Sequence, residues 1–439
     1  MGQAGVPHVA VAERPASMDE CVVLDNGSSG IKAGYSGEDN PTAIIPSLVG
    51  LQVRSQRAAS PFGRRPLVDH ADDSHAGMED TTTLLVGKRA RANASQLELS
   101  SPITRGFIDD WDGMQAIWGH AFEHVLNVNT ESTPVLLSDT PLNPKESREK
   151  MAQIMFEHFQ VPGFYIAPES VLSLFATGRT RGIVLGVGAG VSSAVPIFEG
   201  FALPHATKRL EIAGDDLTDL LQARLPSRLS REVVQDIKET TCSVLAPSAT
   251  QRAAGTLVMG RKERFPPLRR TSSSLCATAE SVDSRLEESK AGLPSPVHYE
   301  LPDGQIVDVS VDCQHDVPNA LFEPSLLGDS GKSLPGISQL TFQSILACDK
   351  TLQADLFSSI VLAGGSSMFP GLATRLETEL SALSTTSKVQ IVQDSQRKAA
   401  AWIGGSMFGS LSTFPEILIS RAEWEEHGAR VVHQKCLYC

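Results

Sequence analysis

The sequence has no excess of positive charge, no paired-cysteine framework and no long hydrophobic run. Its 38 Lys and Arg stand against 51 Asp and Glu, a formal net charge of −13 over 439 residues. That balance argues against a surface whose main work is neutralising phosphate backbones, so direct nucleic-acid binding is not expected. Cys21, Cys242, Cys276, Cys313, Cys348, Cys436 and Cys439 are scattered, odd in number and mostly embedded in apolar runs. They suit reduced thiols in a cytosolic or nuclear compartment. Only Cys436 and Cys439 have metal-ligand spacing, and with His433 alone nearby they read as a plain C-terminal tail rather than a zinc site. The uncharged stretch Gly182 to Phe198 is rich in Gly and Ser, holds Pro196 and is short for a bilayer span. Met1-Gly2-Gln3-Ala4-Gly5-Val6 puts Val where the myristoylation pattern wants Ser or Thr, and no apolar targeting segment follows. A cytoplasmic protein without membrane contact is expected.

What is present is a globular chain, 41% hydrophobic and long enough for two or more domains. Three segments share one grammar, a short apolar strand running into a glycine turn: Val22 to Gly27, Ile183 to Gly190 and Ile360 to Gly365. The first two are followed by second strand-like runs, Ile31 to Tyr35 and Ala194 to Phe198, and so resemble two hairpins of a duplicated domain. Between them Met114, Ile117, Trp118, Ala121, Phe122 and Val125 fall on one helical face, and Met151, Ile154, Met155 and Phe159 do much the same. These stripes are core packing. Strands alternating with such helices give an α/β class. Two stretches break the pattern. Residues 52–83 combine Pro61, Pro66, paired arginines and an acidic run, which predicts a mobile loop. Residues 245–297 carry Arg261-Lys262-Glu263-Arg264, Pro266-Pro267, Arg269-Arg270 and a Thr-Ser run, which predicts a disordered or partner-ordered insert.

Glycine turns supply backbone N–H groups that approach phosphate oxygens closely, and two facing turns make a clamp. In the first, Ser28 adds a hydroxyl donor, Lys32 a positive charge and Asp25 a carboxylate for a metal's water shell. Alone, Asp-Asn-Gly is an ordinary turn; its pairing with a second hairpin points to a ligand.

The order of motifs is more specific. Asp25-Asn26-Gly27-Ser28, Lys32-Ala33-Gly34-Tyr35, Pro134-Val135-Leu136-Leu137, Pro141-Leu142-Asn143-Pro144-Lys145, Arg148-Glu149-Lys150-Met151, Val195 to Gly200, Leu301-Pro302-Asp303-Gly304, Gly364-Gly365 and Trp402-Ile403-Gly404-Gly405-Ser406 stand in actin order. From about residue 20 to 437 the chain resembles actins and actin-related proteins. The resemblance implies two ribonuclease-H-like domains, each subdivided to give four subdomains, around a cleft for ATP or ADP with Mg2+. It divides the chain into an extension over 1–20, a first domain over 21–160 and a second over 161–437, with about 400–437 packing back on the first.

Carried over position by position, the resemblance gives Asp25, Gly27, Ser28, Ser29 and Lys32 to the first phosphate loop and Gly188 and Gly190 to the second. Lys238 and Glu239 match the purine and ribose contacts, and Gly364, Gly365, Met368, Phe369 and Lys398 the rest of the base pocket. Asp25 is the metal residue, acting through water. Ser29 stands where the family has a second loop glycine, and Gly30 follows one position late. Gly186, Val187 and Ala189 replace an Asp, a Ser and an Asp. Glu169 replaces the glutamine that orients the attacking water, and Ser193 a nearby histidine. Water positioning and cation-assisted neutralisation are thus altered together, which implies weak or absent hydrolysis. Glu169 as a base or metal ligand is the alternative.

In actins the loop matching 52–83 and the region of the long insert lie near subunit contacts. Added charge there disfavours ordinary self-assembly. Two readings result: a nucleotide-stabilised structural or adaptor subunit, working with protein partners, other actin-family subunits among them, in a cytoskeletal or other assembly; or a polymerising ATPase that uses Glu169.

Overall fold

The computed structural model describes residues 20–52, 83–225, 229–245, 296–301, 304–384 and 387–436. Two large mixed sheets organise it. The first takes β1 (Val22–Asp25), β2 (Gly30–Tyr35), β3 (Ala43–Pro46), β9 (Val135–Asp139), β10 (Gly163–Pro168) and β19 (Ile419–Ser420) in the order β19-β10-β9-β1-β2-β3. The second takes β11 (Gly182–Val187), β12 (Ser192–Phe198), β13 (Phe201–Ala202), β17 (Ile360–Ala363) and β18 (Ile391–Val392) in the order β13-β12-β11-β17-β18, with β14 (Lys208–Leu210) on β12.

The sheets repeat one plan. β1 and β2 form an antiparallel hairpin, Asp25 opposite Lys32, and β1 also runs parallel to β9. β11 and β12 form the matching hairpin, Gly186 opposite Ser193, and β11 runs parallel to β17. The central strands read as continuous apolar runs because both faces are covered: every residue of β1, β9 and β17 is buried. Contrast the small hairpin of β15 (Val297–Glu300) and β16 (Ile306–Val309), where β16 alternates exposed and buried residues.

Each sheet has its own core. One runs from Cys21 to Leu172 and takes in Trp402, Phe414, Ile419 and Val432 from the far end of the chain. The other spans Ile183 to Val389. Trp402 secures the return by donating its indole N–H to the Val23 carbonyl at 3.1 Å. Between the sheets, the helices Glu169–Phe175 and Ala400–Gly409 pack backbone to backbone. A Cβ at Gly404 would lie 1.8 Å from the Leu172 carbonyl oxygen, so only glycine permits this approach.

The periodic stripe beginning at Met114 is not one uniform helix. Asp110 caps the α-helix Trp111–His120 through the Gly113 N–H, and the chain then widens into a π-helical segment, Ala121–Leu126, closed by Asn127 at φ 50°. The second stripe does the same: α-helix Lys145–Gln153, then π-helical Ile154–His158. The extra residue per turn lets Phe122 and Leu126, or Met155 and Phe156, stay buried where a strict 3.6 period would drift.

Of the expected loop over 52–83, residues 53–82 lie outside the described residues; Gln52 and Thr83 are opposed at the ends of β4 (Val49–Gln52) and β5 (Thr83–Val86). Of the insert over 245–297, residues 246–295 lie outside them, and Val297 already belongs to β15. Among the described residues the five cysteines are free and buried, and no helix is long and apolar enough to cross a membrane.

Candidate functional site

A cavity of about 380 Å3 lies where the two hairpin turns face each other. It is lined by every residue the sequence nominated: Asp25, Gly27, Ser28, Ser29 and Lys32 from the first hairpin, Gly188 and Gly190 from the second, Lys238 and Glu239 from the helix Arg231–Thr241, Gly364, Gly365, Met368 and Phe369 after β17, then Lys398, and Glu169. The turns approach closely, since a Cβ at Gly190 would lie 2.6 Å from the Ser28 Oγ.

The second turn is tied from behind. Gly188 O accepts from Gly214 N at 3.1 Å and from Ser366 Oγ at 2.8 Å, and Ala189 O accepts from Asp215 N at 2.8 Å. Gly190 O accepts from the Arg105 guanidinium at 3.3 Å. In trans peptides the following N–H groups point the opposite way, giving the turn the donor-rich face that an anionic oxygen needs. The first turn absorbs its extra serine by leaning on Ser47, whose Oγ donates to Gly27 O at 2.6 Å while its N–H donates to Ser29 O at 3.4 Å.

Charge in the cavity is already partly committed. Lys32 Nζ sits 2.5 Å from Asp25 Oδ2, and Ser138 Oγ donates to Asp25 Oδ1 at 2.7 Å. Both oxygens of the carboxylate nominated for a cation's water shell therefore have protein partners. Glu169, at the start of its helix, faces the same space. Burial, then the Asp25 charge, push its carboxyl up to about 8, with Lys32 opposing. The protonated form is thereby favoured at neutral pH. Gly186 contributes nothing, and opposite it Ser193 is buried. Among the described residues no group of three or more His, Cys, Asp or Glu side chains is arranged to hold a metal ion.

The far end of the cavity carries the other nominated groups. Lys238 is buried and donates to Gly214 O at 2.7 Å and to Thr218 Oγ1 at 2.8 Å, and burial pulls its pKa down. Glu239 accepts from Gln235 at 2.8 Å and pairs with Lys398 at 3.4 Å. Burial raises its pKa, but these two partners and Lys238 outweigh it and leave the net shift downward. Phe369 is buried, while Met368 keeps 39% of its surface exposed.

Sequence reasoning missed the clamp that crosses the cleft. Arg105, in the turn between β7 (Ile103–Thr104) and β8 (Phe107–Ile108), meets Asp216 through two parallel bonds of 2.6 and 2.7 Å. Its own carbonyl accepts from Arg209, whose guanidinium lies 3.8 Å over the Phe107 ring. Asp216 is 111 residues from Arg105, and no local spacing announces such a pair. Arg105 also sits at φ 51°, a conformation unusual outside glycine.

Duplicated hairpins, a cavity between their glycine turns and a C-terminal helix returning to the first sheet agree with one comparison: the Actin family model matches residues 17–437, and the protein belongs to the actin family.

Proposed function

We propose that this chain is an adenine-nucleotide-binding structural or adaptor subunit of a larger protein assembly, with weak or absent ATP hydrolysis. The residues present fit a nucleotide. Two facing turns offer backbone donors to a phosphate chain, and Lys238, Glu239, Gly364, Gly365, Met368, Phe369 and Lys398 surround the space beyond, where a base and ribose would lie.

They do not fit a divalent cation in the same way. The observation that carries the reading is the geometry of three carboxylate positions: Asp25 is held by Lys32 and Ser138, Gly186 has no side chain, and Glu169 lies at the start of its helix where burial and the Asp25 charge favour its protonated form. Burial and the Asp25 charge favour the protonated form of Glu169, so at neutral pH it would act on water as a base only through its smaller ionised fraction, the demand that the polymerising-ATPase reading makes of it.

Thermal melting with ATP, in magnesium and in chelator, tests the proposal. A ligand at a hundred times its Kd stabilises the folded state by about 2.7 kcal/mol. The expected result is an upward shift that largely survives chelation. No shift under either condition contradicts nucleotide binding, and a shift abolished by chelator contradicts the reading of the cation side.

A further inference from the structure

A second cavity, of about 370 Å3, shares no lining residue with the nucleotide cleft. Leu84, Leu85 and Val86 of β5 wall one side and His120, His124 and His158 another. His120 closes the α-helix Trp111–His120, and His124 follows four residues later within the π-helical segment. The two rings stand with centroids 5.3 Å apart at 61°. Two imidazoles bound to one tetrahedral ion at Zn–N distances of about 2 Å have ring centroids about 5 Å apart. The 5.3 Å separation is compatible with a shared ion as well as with the edge-to-face contact that the two rings make.

We propose that His120 and His124 bind a borderline divalent transition ion such as Zn2+ in this cavity. Imidazole favours Zn2+, Cu2+ or Ni2+, whereas Mg2+ prefers carboxylate and water. No third side chain among the described residues is already arranged with the pair, so water fills the remaining positions. The groups facing the pair are Arg89 from the helix Gly87–Ala92, Asp112 and Glu123 from the histidines' own helix, and His158 from the segment Ile154–His158. Widened π turns recur at binding sites, and here two such turns carry His124 and His158 to one cavity.

The test titrates ZnCl2 into chelator-stripped full-length protein by calorimetry and follows CoCl2 by visible absorption. One ion should bind, with a cobalt spectrum free of thiolate charge-transfer bands, and affinity should fall as pH drops from 7 to about 5.5 because protons compete for imidazole. His124→Gln, and the pair His120→Gln with His124→Gln, should weaken Zn2+ binding by more than about tenfold. Their ATP-induced melting shift should be unchanged, which separates this site from the cleft. Absent Zn2+ binding, binding untouched by the double substitution, or a thiolate signature would each overturn the proposal.

Discussion

Under the proposed function, Glu169 is the residue that most directly separates weak hydrolysis from the alternative in which it acts as a base. In an ordinary carboxylate the ionised form dominates at neutral pH. Here burial and the nearby Asp25 raise the pKa from the usual 4.5 to about 8. The sign of the consequence is fixed by linkage. Folded and unfolded chains both hold the proton below about pH 4.5; between there and about pH 8 only the folded chain keeps it, so the contribution of Glu169 to stability declines as pH rises and is flat above. Glu169→Gln removes that decline. Because the residue retains some access to the cavity, the full linkage value is discounted: the variant should gain about 1–3 kcal/mol relative to wild type at pH 8 and little at pH 4.5. Denaturant unfolding at the two pH values measures it, and equal differences at both would show that Glu169 is not held neutral.

At the scale of elements, the tightest constraint is the helix pair between the sheets. Gly404→Ala places a methyl 1.8 Å from the Leu172 carbonyl oxygen, a backbone atom that no rotamer change can move away. The helices must separate, at a cost toward the upper end of the usual scale of overpacking, about 3 kcal/mol, because a backbone atom rather than a side chain is in the way. Calorimetry should show a melting point lowered by several degrees; an unchanged one would mean the two helices are not packed as described.

Elements were also where the sequence was most and least legible. The two hairpins were readable because Val22 to Gly27 and Ile183 to Gly190 each state an apolar strand and its turn within a few residues. Trp402 and Gly404-Gly405 were readable only as motifs in family order, since what they touch, Val23 and Leu172, lies over 200 residues away. The π turns were not visible because a widening of five or six residues leaves an apolar stripe nearly unchanged. The Arg105 to Asp216 clamp was invisible for another reason: each residue alone is an unremarked charge, and only the meeting of the Arg105 hairpin turn with the start of the helix Gly214–Arg224 makes them a pair. Conversely, the substitutions at Gly186, Ala189, Glu169 and Ser193 were legible at once from the resemblance, but the raised pKa of Glu169 needed its burial and the position of Asp25 in three dimensions.

For the whole molecule, the proposal is of an actin-family fold whose cleft keeps backbone donors for a nucleotide and has no side chain at Gly186 to serve a cation. Groups that position water, neutralise charge and close the phosphate loop act as a unit, so restoring one should recover little. The geometry allows the restoration: a Cβ at Gly186 would lie 3.2 Å from the Ser193 Oγ, close enough that Ser193 must shift slightly but far from blocked. Phosphate release by wild type and by Glu169→Gln, Gly186→Asp and Ser193→His, singly and combined, with nucleotide affinity followed in parallel, is the most direct measurement. The account predicts slow wild-type turnover, single variants within a few-fold of it, and a gain of at least about tenfold in the combined variant alone. Wild-type turnover at the rate of an ordinary actin, abolished by Glu169→Gln, would contradict it and make Glu169 the catalytic base.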